Sequence, residues 1–277
     1  MARVDYDRMA ADYLEGRTLP AAAMESWRDA IAPWLPTGAG GPVLDLGAGT
    51  GQFAAAIAGW FGVEVVAVEP SSGMRRAART FAHPGVAWIG GRAERLPLRD
   101  RTCRLAWVST VVHHLDDLDG AAAELRRVLR PGGPVLVRQA FPGRMGEINL
   151  YRRFFPAAGE RLVAQGGLPD VERVAAAFAA AGFRTEALQR VGQVSATSLA
   201  AYRDKVRLRA DTGLALLPDE EFAAGLAALD RAVEAETTPV PVVDRLDLLV
   251  LRRSGRPARR WAVPSVPGRG PRRPGRG

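Results

Sequence analysis

Val43-Leu44-Asp45-Leu46-Gly47-Ala48-Gly49-Thr50-Gly51-Gln52-Phe53 joins three different local patterns in eleven residues. An apolar run ends in an acid, a glycine-rich turn follows, and a helix-forming segment opens at Gln52. Glycines 47, 49 and 51 let the backbone take positive φ and let a ligand approach without a Cβ in the way. A strand, then such a turn, then a helix places the turn at the carboxyl end of a strand, where open α/β sheets bind ligands. Two kinds of ligand compete for this loop. A dinucleotide site uses GxGxxG, so that a pyrophosphate rests on the helix N-terminus. Counting from Gly47, Gln52 stands at the third glycine, so the spacing here is GxGxG. Asp45 would also repel a pyrophosphate, whereas a ligand with a cationic amine tolerates it. Glu69 lies 18 residues beyond Gly51, at the end of the next apolar run. Its two oxygens can accept from both hydroxyls of a ribose.

Outward from this loop the chain alternates. Strands are expected at Pro42–Leu46, Val63–Val68, Val86–Ile89, Arg104–Ser109 and Val135–Gln139. Helices are expected between them at Gln52–Trp60, Ser72–Ala82 (capped by Ser71 or Ser72) and Leu118–Leu129 (capped by Asp116 or Asp117). Strands separated by helices of this length imply βαβ units, a parallel sheet and an α/β fold. After Ala140 the pattern changes. Arg144–Gln165 mixes aromatic and basic residues, including Tyr151, Phe154 and Phe155. Asp170–Ala181 carries Val171, Val174, Phe178 and Ala181 at helical spacing. A strand is expected over Thr185–Val194, helices over Ser198–Arg209 and Pro218–Glu236, and a strand over Val240–Leu251.

The charge is unevenly placed. The 277 residues carry a net +8, yet nine arginines and no acid fall between Arg252 and Gly277, so residues 1–251 sum to −1. A basic face that grips nucleic acid is therefore disfavoured for the body of the protein. Residues 252–277 also hold five prolines and five glycines, which predicts a disordered tail. Cys103 is the single cysteine, which excludes an intrachain disulfide and a Cys-rich zinc site. His113-His114 lacks a third ligand at metal spacing, and no acidic metal cluster is evident, so no metal is expected. The N-terminus lacks the apolar stretch of a signal peptide, and no apolar run reaches the ~18 residues of a membrane span. These features predict a soluble, cytoplasmic protein. Oligomeric state is not legible.

With the glycine loop, Val65–Pro70, Gly90–Pro97, Ser109–Leu115 and Leu129–Gly133 in place, the chain resembles the class I S-adenosylmethionine-dependent methyltransferases, type 11 group, from about Tyr6 to Leu251. The resemblance implies a Rossmann-like, seven-stranded, mostly parallel sheet with an antiparallel last strand. Residues 1–251 would form the methyltransferase domain, with a helical lid from 1–35, 144–165 and 197–236, and 252–277 would be the tail. Asp45, Gly47, Ala48, Gly49, Thr50 and Gly51 would wrap the methionine portion of S-adenosyl-L-methionine. Glu69 would bind the ribose, and Pro70 and Met74 would flank the adenine. Arg92, Ala93 and Glu94 would lie at the adenine edge. Ser109 and Thr110 would form the floor beneath the sulfonium. Tyr13 and Arg17 would cover the cofactor, with Arg17 pairing its carboxylate. His113 is the candidate to touch the acceptor or act as a base.

The implied reaction is methyl transfer to a small-molecule acceptor by SN2 displacement, with S-adenosyl-L-homocysteine as product. The chain departs from the family pattern at Arg92, where an Asp normally accepts from the adenine amino group, and at Arg104, where an Asp commonly begins the fourth strand. Three other readings stand beside this one: a non-catalytic S-adenosylmethionine-binding protein, an RNA methyltransferase using the basic tail, and an NAD-dependent oxidoreductase, which Gln52 and Asp45 oppose. The Asn-Pro-Pro-Tyr tetrad used for methylating amino groups of DNA bases and glutamine is absent.

Overall fold

The computed structural model describes residues 13–38, 40–144, 153–164 and 168–255. Residues 1–12 and Tyr151 of the expected lid, and the tail from residue 256, lie outside the described residues.

Five short strands build the parallel half of the sheet: β1 (Val43–Leu46), β2 (Val65–Val68), β3 (Val86–Ile89), β4 (Leu105–Ser109) and β5 (Pro134–Gln139). All four β1 residues are buried, as suits an inner strand covered on both faces. The chain then adds β6 (Phe183–Ala196) and β7 (Val242–Arg253). The seven strands lie in the order β3-β2-β1-β4-β5-β7-β6. β7 runs antiparallel to both β5 and β6. The fold is thus α/β and Rossmann-like, with the order reversing between β1 and β4. That reversal opens a crevice at the strand carboxyl ends.

Helices α1 (Ala21–Ile31) and α2 (Gln52–Phe61) cover one face, and α4 (Leu118–Val128) and α6 (Val171–Ala180) the other; α3 (Ser72–Ala77) follows β2, and α5 (Pro156–Ala164) precedes α6. Trp27, Ile31 and Ile57 pack with Leu105, Trp107 and Leu136 on the first face. Leu125, Val128 and Phe178 pack with Val108, Val137 and Leu249 on the second. The alternation along β4 and β5 sends successive side chains to opposite cores. A third cluster stands apart. Phe154, Phe155, Tyr202, Val206, Leu214 and Leu229 bury one another among α5, α7 (Leu199–Arg207), α8 (Thr212–Ala215) and α9 (Asp219–Glu234).

Several boundaries differ from expectation for identifiable reasons. The helix after β2 is α-helical only to Ala77 and tightens into a 3₁₀ turn at Ala78–Phe81. Asp117, not Asp116, caps α4 by accepting from the Gly120 N–H at 2.8 Å. α1 lies on the sheet with Trp27 and Ile31 fully buried, so this part of residues 1–35 is core rather than cover. β7 runs two residues past Leu251, so Arg252 and Arg253 belong to the sheet and not to the tail. Arg104, the departure before β4, donates from Nε to the Gly41 carbonyl at 2.6 Å and has a structural role.

Candidate active site

At the switch point the glycine loop shapes the wall of a cavity of about 290 Å³. Its three glycines are glycine for different reasons. All three have positive φ: 68° at Gly47, 56° at Gly49 and 83° at Gly51. A Cβ on Gly47 would stand 2.4 Å from Val111 Cγ2, and one on Gly51 2.5 Å from Trp88 Cζ2. Packing therefore forbids a side chain at both. A Cβ on Gly49 would meet nothing closer than Tyr13 Cε1 at 3.9 Å. The space above Gly49 is open, and it is the space a ligand crossing the loop would use.

Two carboxylates support that loop. Glu69 is buried at the end of β2; Oε2 accepts from the Gly49 N–H and Oε1 from the Ser71 N–H, each at 2.9 Å. Asp45 is 2 % exposed on β1, and its Oδ2 has no hydrogen-bond partner among the described residues. Burial, reinforced by the nearby Glu69 charge, pushes the Asp45 pKa up to about 8. A buried carboxyl without a full set of partners is costly, and a cationic group in the cavity would relieve it. These observations fit the amine of an amino-acid-bearing nucleoside cofactor.

Ten of the expected site residues line the cavity: Tyr13, Arg17, Asp45, Gly47, Ala48, Gly49, Thr50, Ser109, Thr110 and His113. Gly51, Glu69, Pro70, Met74, Arg92, Ala93 and Glu94 do not. Met74 is buried beneath the Ser71 cap, Pro70 is exposed, and Ala93 packs into the core. Arg92 reaches Asp116 at 2.7 Å and lies 3.7 Å from Glu94. Glu94 also accepts from the Asp116 N–H at 3.3 Å. The Arg92 turn is thereby tied to the segment after β4. Arg17 pairs with Asp211 at 2.8 Å, so its expected carboxylate role would share the guanidinium with Asp211.

β4 ends in strain. Thr110 has φ of 54°, an outlier for a β-branched residue. It is held there by its N–H on the Arg138 carbonyl at 2.8 Å and its hydroxyl on the Ser109 carbonyl at 2.7 Å. His113 follows in a short 3₁₀ turn, half-buried in the cavity wall, with Nδ1 3.4 Å from Gln139 Nε2. Burial lowers its pKa to about 4, against a weaker opposing pull from Asp211. The imidazole is neutral at pH 7, yet it holds a proton too weakly to be an effective general base there.

The far half of the cavity is formed by residues that carry no motif. Arg138 on β5 is 5 % exposed. It donates to Ser109 Oγ at 3.0 Å and to Gln193 Oε1, and lies 4.9 Å from the centre of the Trp27 ring and 5.4 Å from that of Phe53. Gln193 and Ser195 come from β6. The register of β6 against β7 shifts between Val194 and Ala196, and such a bulge re-aims the residue within it. Ser195 donates to Asp244 Oδ2. Lys205 donates to the carbonyls of Thr18 and Ser195, at 2.8 and 2.9 Å. Gln52 clasps Leu19 from both amide atoms, at 2.8 and 3.0 Å. Together with the Arg17–Asp211 pair these contacts pin residues 17–19 across the cavity mouth. One signal for the far half was present in the sequence: a charged residue inside the apolar run Val135–Gln139.

Among the described residues, no group of three or more His, Cys, Asp or Glu is placed to hold a metal ion. No described helix is long and apolar enough to cross a membrane.

Comparison with known proteins agrees with this geometry. Residues 44–137 match the family described as "Methyltransferase domain". The chain is 34% identical over 137 residues to a ubiquinone/menaquinone biosynthesis C-methyltransferase UbiE of Syntrophotalea carbinolica, covering 48% of this chain and 58% of that protein. It is 36% identical over 108 residues to the biotin biosynthesis bifunctional protein BioHC of Cellvibrio japonicus, covering 39% of this chain and 21% of that protein. The match thus spans less than two thirds of these relatives' lengths. Among solved structures, a putative methyltransferase from an antibiotic biosynthesis pathway of Anabaena variabilis superposes with a TM-score of 0.62 at 22% identity, covering 80% of this chain and 96% of that one. The matched segment runs from β1 to β5 and contains the glycine loop, Glu69 and the end of β4, so this third of the chain is similar to the methyltransferase domain family.

Proposed function

We propose that this protein is a cytoplasmic enzyme that transfers a methyl group from S-adenosyl-L-methionine to a small-molecule acceptor. The observation that carries the reading is the open space above Gly49, flanked by the orphaned Asp45 Oδ2 and by Glu69. Asp45 would hold the amine of the methionine portion, and the loop from Gly47 to Gly51 would follow its chain. The two carboxylate oxygens of Glu69 would take the ribose hydroxyls. Pro70, Met74 and the turn at Arg92–Glu94 would flank the adenine outside the enclosed cavity. Ser109 and Thr110 would lie under the reacting centre, and Tyr13 would cover it.

When bound, the cofactor supplies an electrophilic methyl on a sulfonium, which the acceptor displaces in line to leave S-adenosyl-L-homocysteine. The chain's own task is to align the acceptor and exclude water. Residues 13–19, and the helices within 153–164 and 197–236, would do this as a lid resting on the cluster around Phe155 and Tyr202. His113 would touch the acceptor rather than take its proton, since its pKa is near 4.

The test is calorimetry with S-adenosylmethionine and S-adenosylhomocysteine, followed by turnover with a broad acceptor panel. Binding of both with transfer to at least one small molecule is expected. Tight binding without any transfer would favour a binding protein or another chemistry. That second reading has two supports. Arg92, where the family carries an acceptor for adenine, can only donate. A structural neighbour with TM-score 0.56 and 20% identity is described as the [4+2]-cyclase SpnF.

A further inference from the structure

We propose that the methyl acceptor carries a carboxylate, and that Arg138 is the residue that binds it. The inference rests on the methyltransferase reading and adds a substrate class to it.

Arg138 sits in the wall of the cavity on β5, and a buried guanidinium needs compensation. Among the described residues its five N–H groups meet two acceptors, Ser109 Oγ and Gln193 Oε1. Both are neutral, and the Nε has no partner among the described residues. No carboxylate lies within salt-bridge distance of it in the described structure. The anion joined to it, Asp244, is reached only through Gln193 and Ser195, by three successive hydrogen bonds. The rings of Trp27 and Phe53 lie beside the cation and stabilise it only partly. Burial lowers its pKa to about 9, so it remains charged at neutral pH. Lys205 adds a second cation to the same wall, and both its bonds are to neutral carbonyls. A buried cation with a planar fork and spare donors matches a carboxylate better than any neutral group.

Position separates this site from the cofactor's. The loop and Asp45 belong to β1, and Glu69 to β2. Gln193 and Ser195 belong to β6, four strands from β1 in the sheet order, or about 19 Å at the usual strand spacing. Arg138 stands between them, one strand beyond the end of β4. An acceptor held there by its anionic end would reach back toward Ser109 and Thr110, beside the Phe53 ring that lines the same cavity.

The experiment uses the full chain saturated with S-adenosylhomocysteine, titrated by calorimetry and by ligand-observed NMR with acetate, benzoate and 4-hydroxybenzoate, and with benzamide as the neutral control. At least one carboxylate is expected to bind, at least tenfold tighter than benzamide. Arg138→Met should weaken that binding at least tenfold while changing the S-adenosylhomocysteine Kd less than threefold. Gln193→Glu, which brings an internal carboxylate to the guanidinium, should also abolish carboxylate binding and serves if Arg138→Met does not fold. The proposal is overturned if none of the three carboxylates binds, or if their binding survives both variants. It is equally overturned if Arg138→Met weakens S-adenosylhomocysteine tenfold or more, because Arg138 would then hold the cofactor's own carboxylate. Failure of S-adenosylhomocysteine to bind the unaltered protein strikes instead at the methyltransferase reading.

Discussion

Asp45 and Glu69 illustrate how two carboxylates of one site divide their work. Glu69 accepts from the N–H groups of Gly49 and Ser71, so it holds the loop in shape. Asp45 is pushed up to about pKa 8, so in the free protein it carries a proton at pH 7. If it meets a cationic amine on binding, it must release that proton. S-adenosylhomocysteine binding at pH 6.5 is therefore expected to release about one proton, measured as the dependence of calorimetric enthalpy on buffer ionisation. Affinity should fall as pH drops below 8. An enthalpy independent of buffer would show that Asp45 does not change state. The stability sign runs the other way. The folded protein binds this proton more tightly than the unfolded chain, so the group destabilises the fold progressively as pH rises from about 4 to 8. Asp45→Asn should then raise the melting temperature at pH 7 while losing the proton release. For Glu69→Ala, S-adenosylmethionine binding should weaken at least tenfold, since a charged acceptor worth roughly 1.5–3 kcal/mol is lost. The structure adds that part of this loss acts through the freed Gly49 N–H. An unchanged dissociation constant would displace the ribose from Glu69.

At the scale of elements, the β1–α2 loop makes a discriminating prediction because its glycines differ. Gly49→Val should abolish S-adenosylhomocysteine binding yet keep the native circular dichroism spectrum, losing the roughly 1–3 kcal/mol that a non-glycine residue costs at positive φ. Gly51→Val should fail earlier, because its Cβ meets the Trp88 ring at 2.5 Å. Two variants that both fold and both bind would remove the structural basis for the loop assignment. This loop was legible in sequence because one short segment supplies its strand, turn and helix start. The parallel half of the sheet was legible for the same reason: β3 occupies Val86–Ile89 as expected, and Asp117, one of the two expected caps, caps α4. The far half of the cavity was not. Arg138, Gln193, Tyr202, Lys205 and Asp244 come from four elements up to 106 residues apart, and no local pattern joins them. Gln52, which in the sequence only breaks a dinucleotide motif, proves to be the clasp on Leu19. Phe154 and Phe155 are buried in the satellite cluster, with Phe155 stacked on Phe222 at 5.7 Å.

For the whole molecule, the boundary between sheet and tail decides which arginines are structural. Arg252 donates to Glu186 Oε2 and to the Gly132 carbonyl, and Arg253 to the Leu129 carbonyl. The backbone N–H of Arg253 bonds Gly133 at 3.0 Å, and that of Ser254 bonds Gly182 at 3.0 Å. These contacts fasten the end of β7 to the turn before β5 and to the start of β6. The remaining seven arginines lie at 256–276, among the prolines and glycines of the tail. Two truncations separate the groups. Ending the chain after Gly255 should leave the melting temperature within about 2 °C and S-adenosylhomocysteine affinity unchanged. Ending it after Leu251 removes several hydrogen bonds of about 1 kcal/mol each, which should lower the melting temperature by roughly 5 °C or more. Equal melting of the two would mean that the end of β7 contributes nothing. The same pair tests the RNA alternative. If the tail is an electrostatic arm, removing residues 256–277 must cut affinity for a single-stranded RNA and flatten its salt dependence. If the chain acts on a small molecule, turnover survives the shorter cut intact, because no described residue beyond Leu246 lines the cavity.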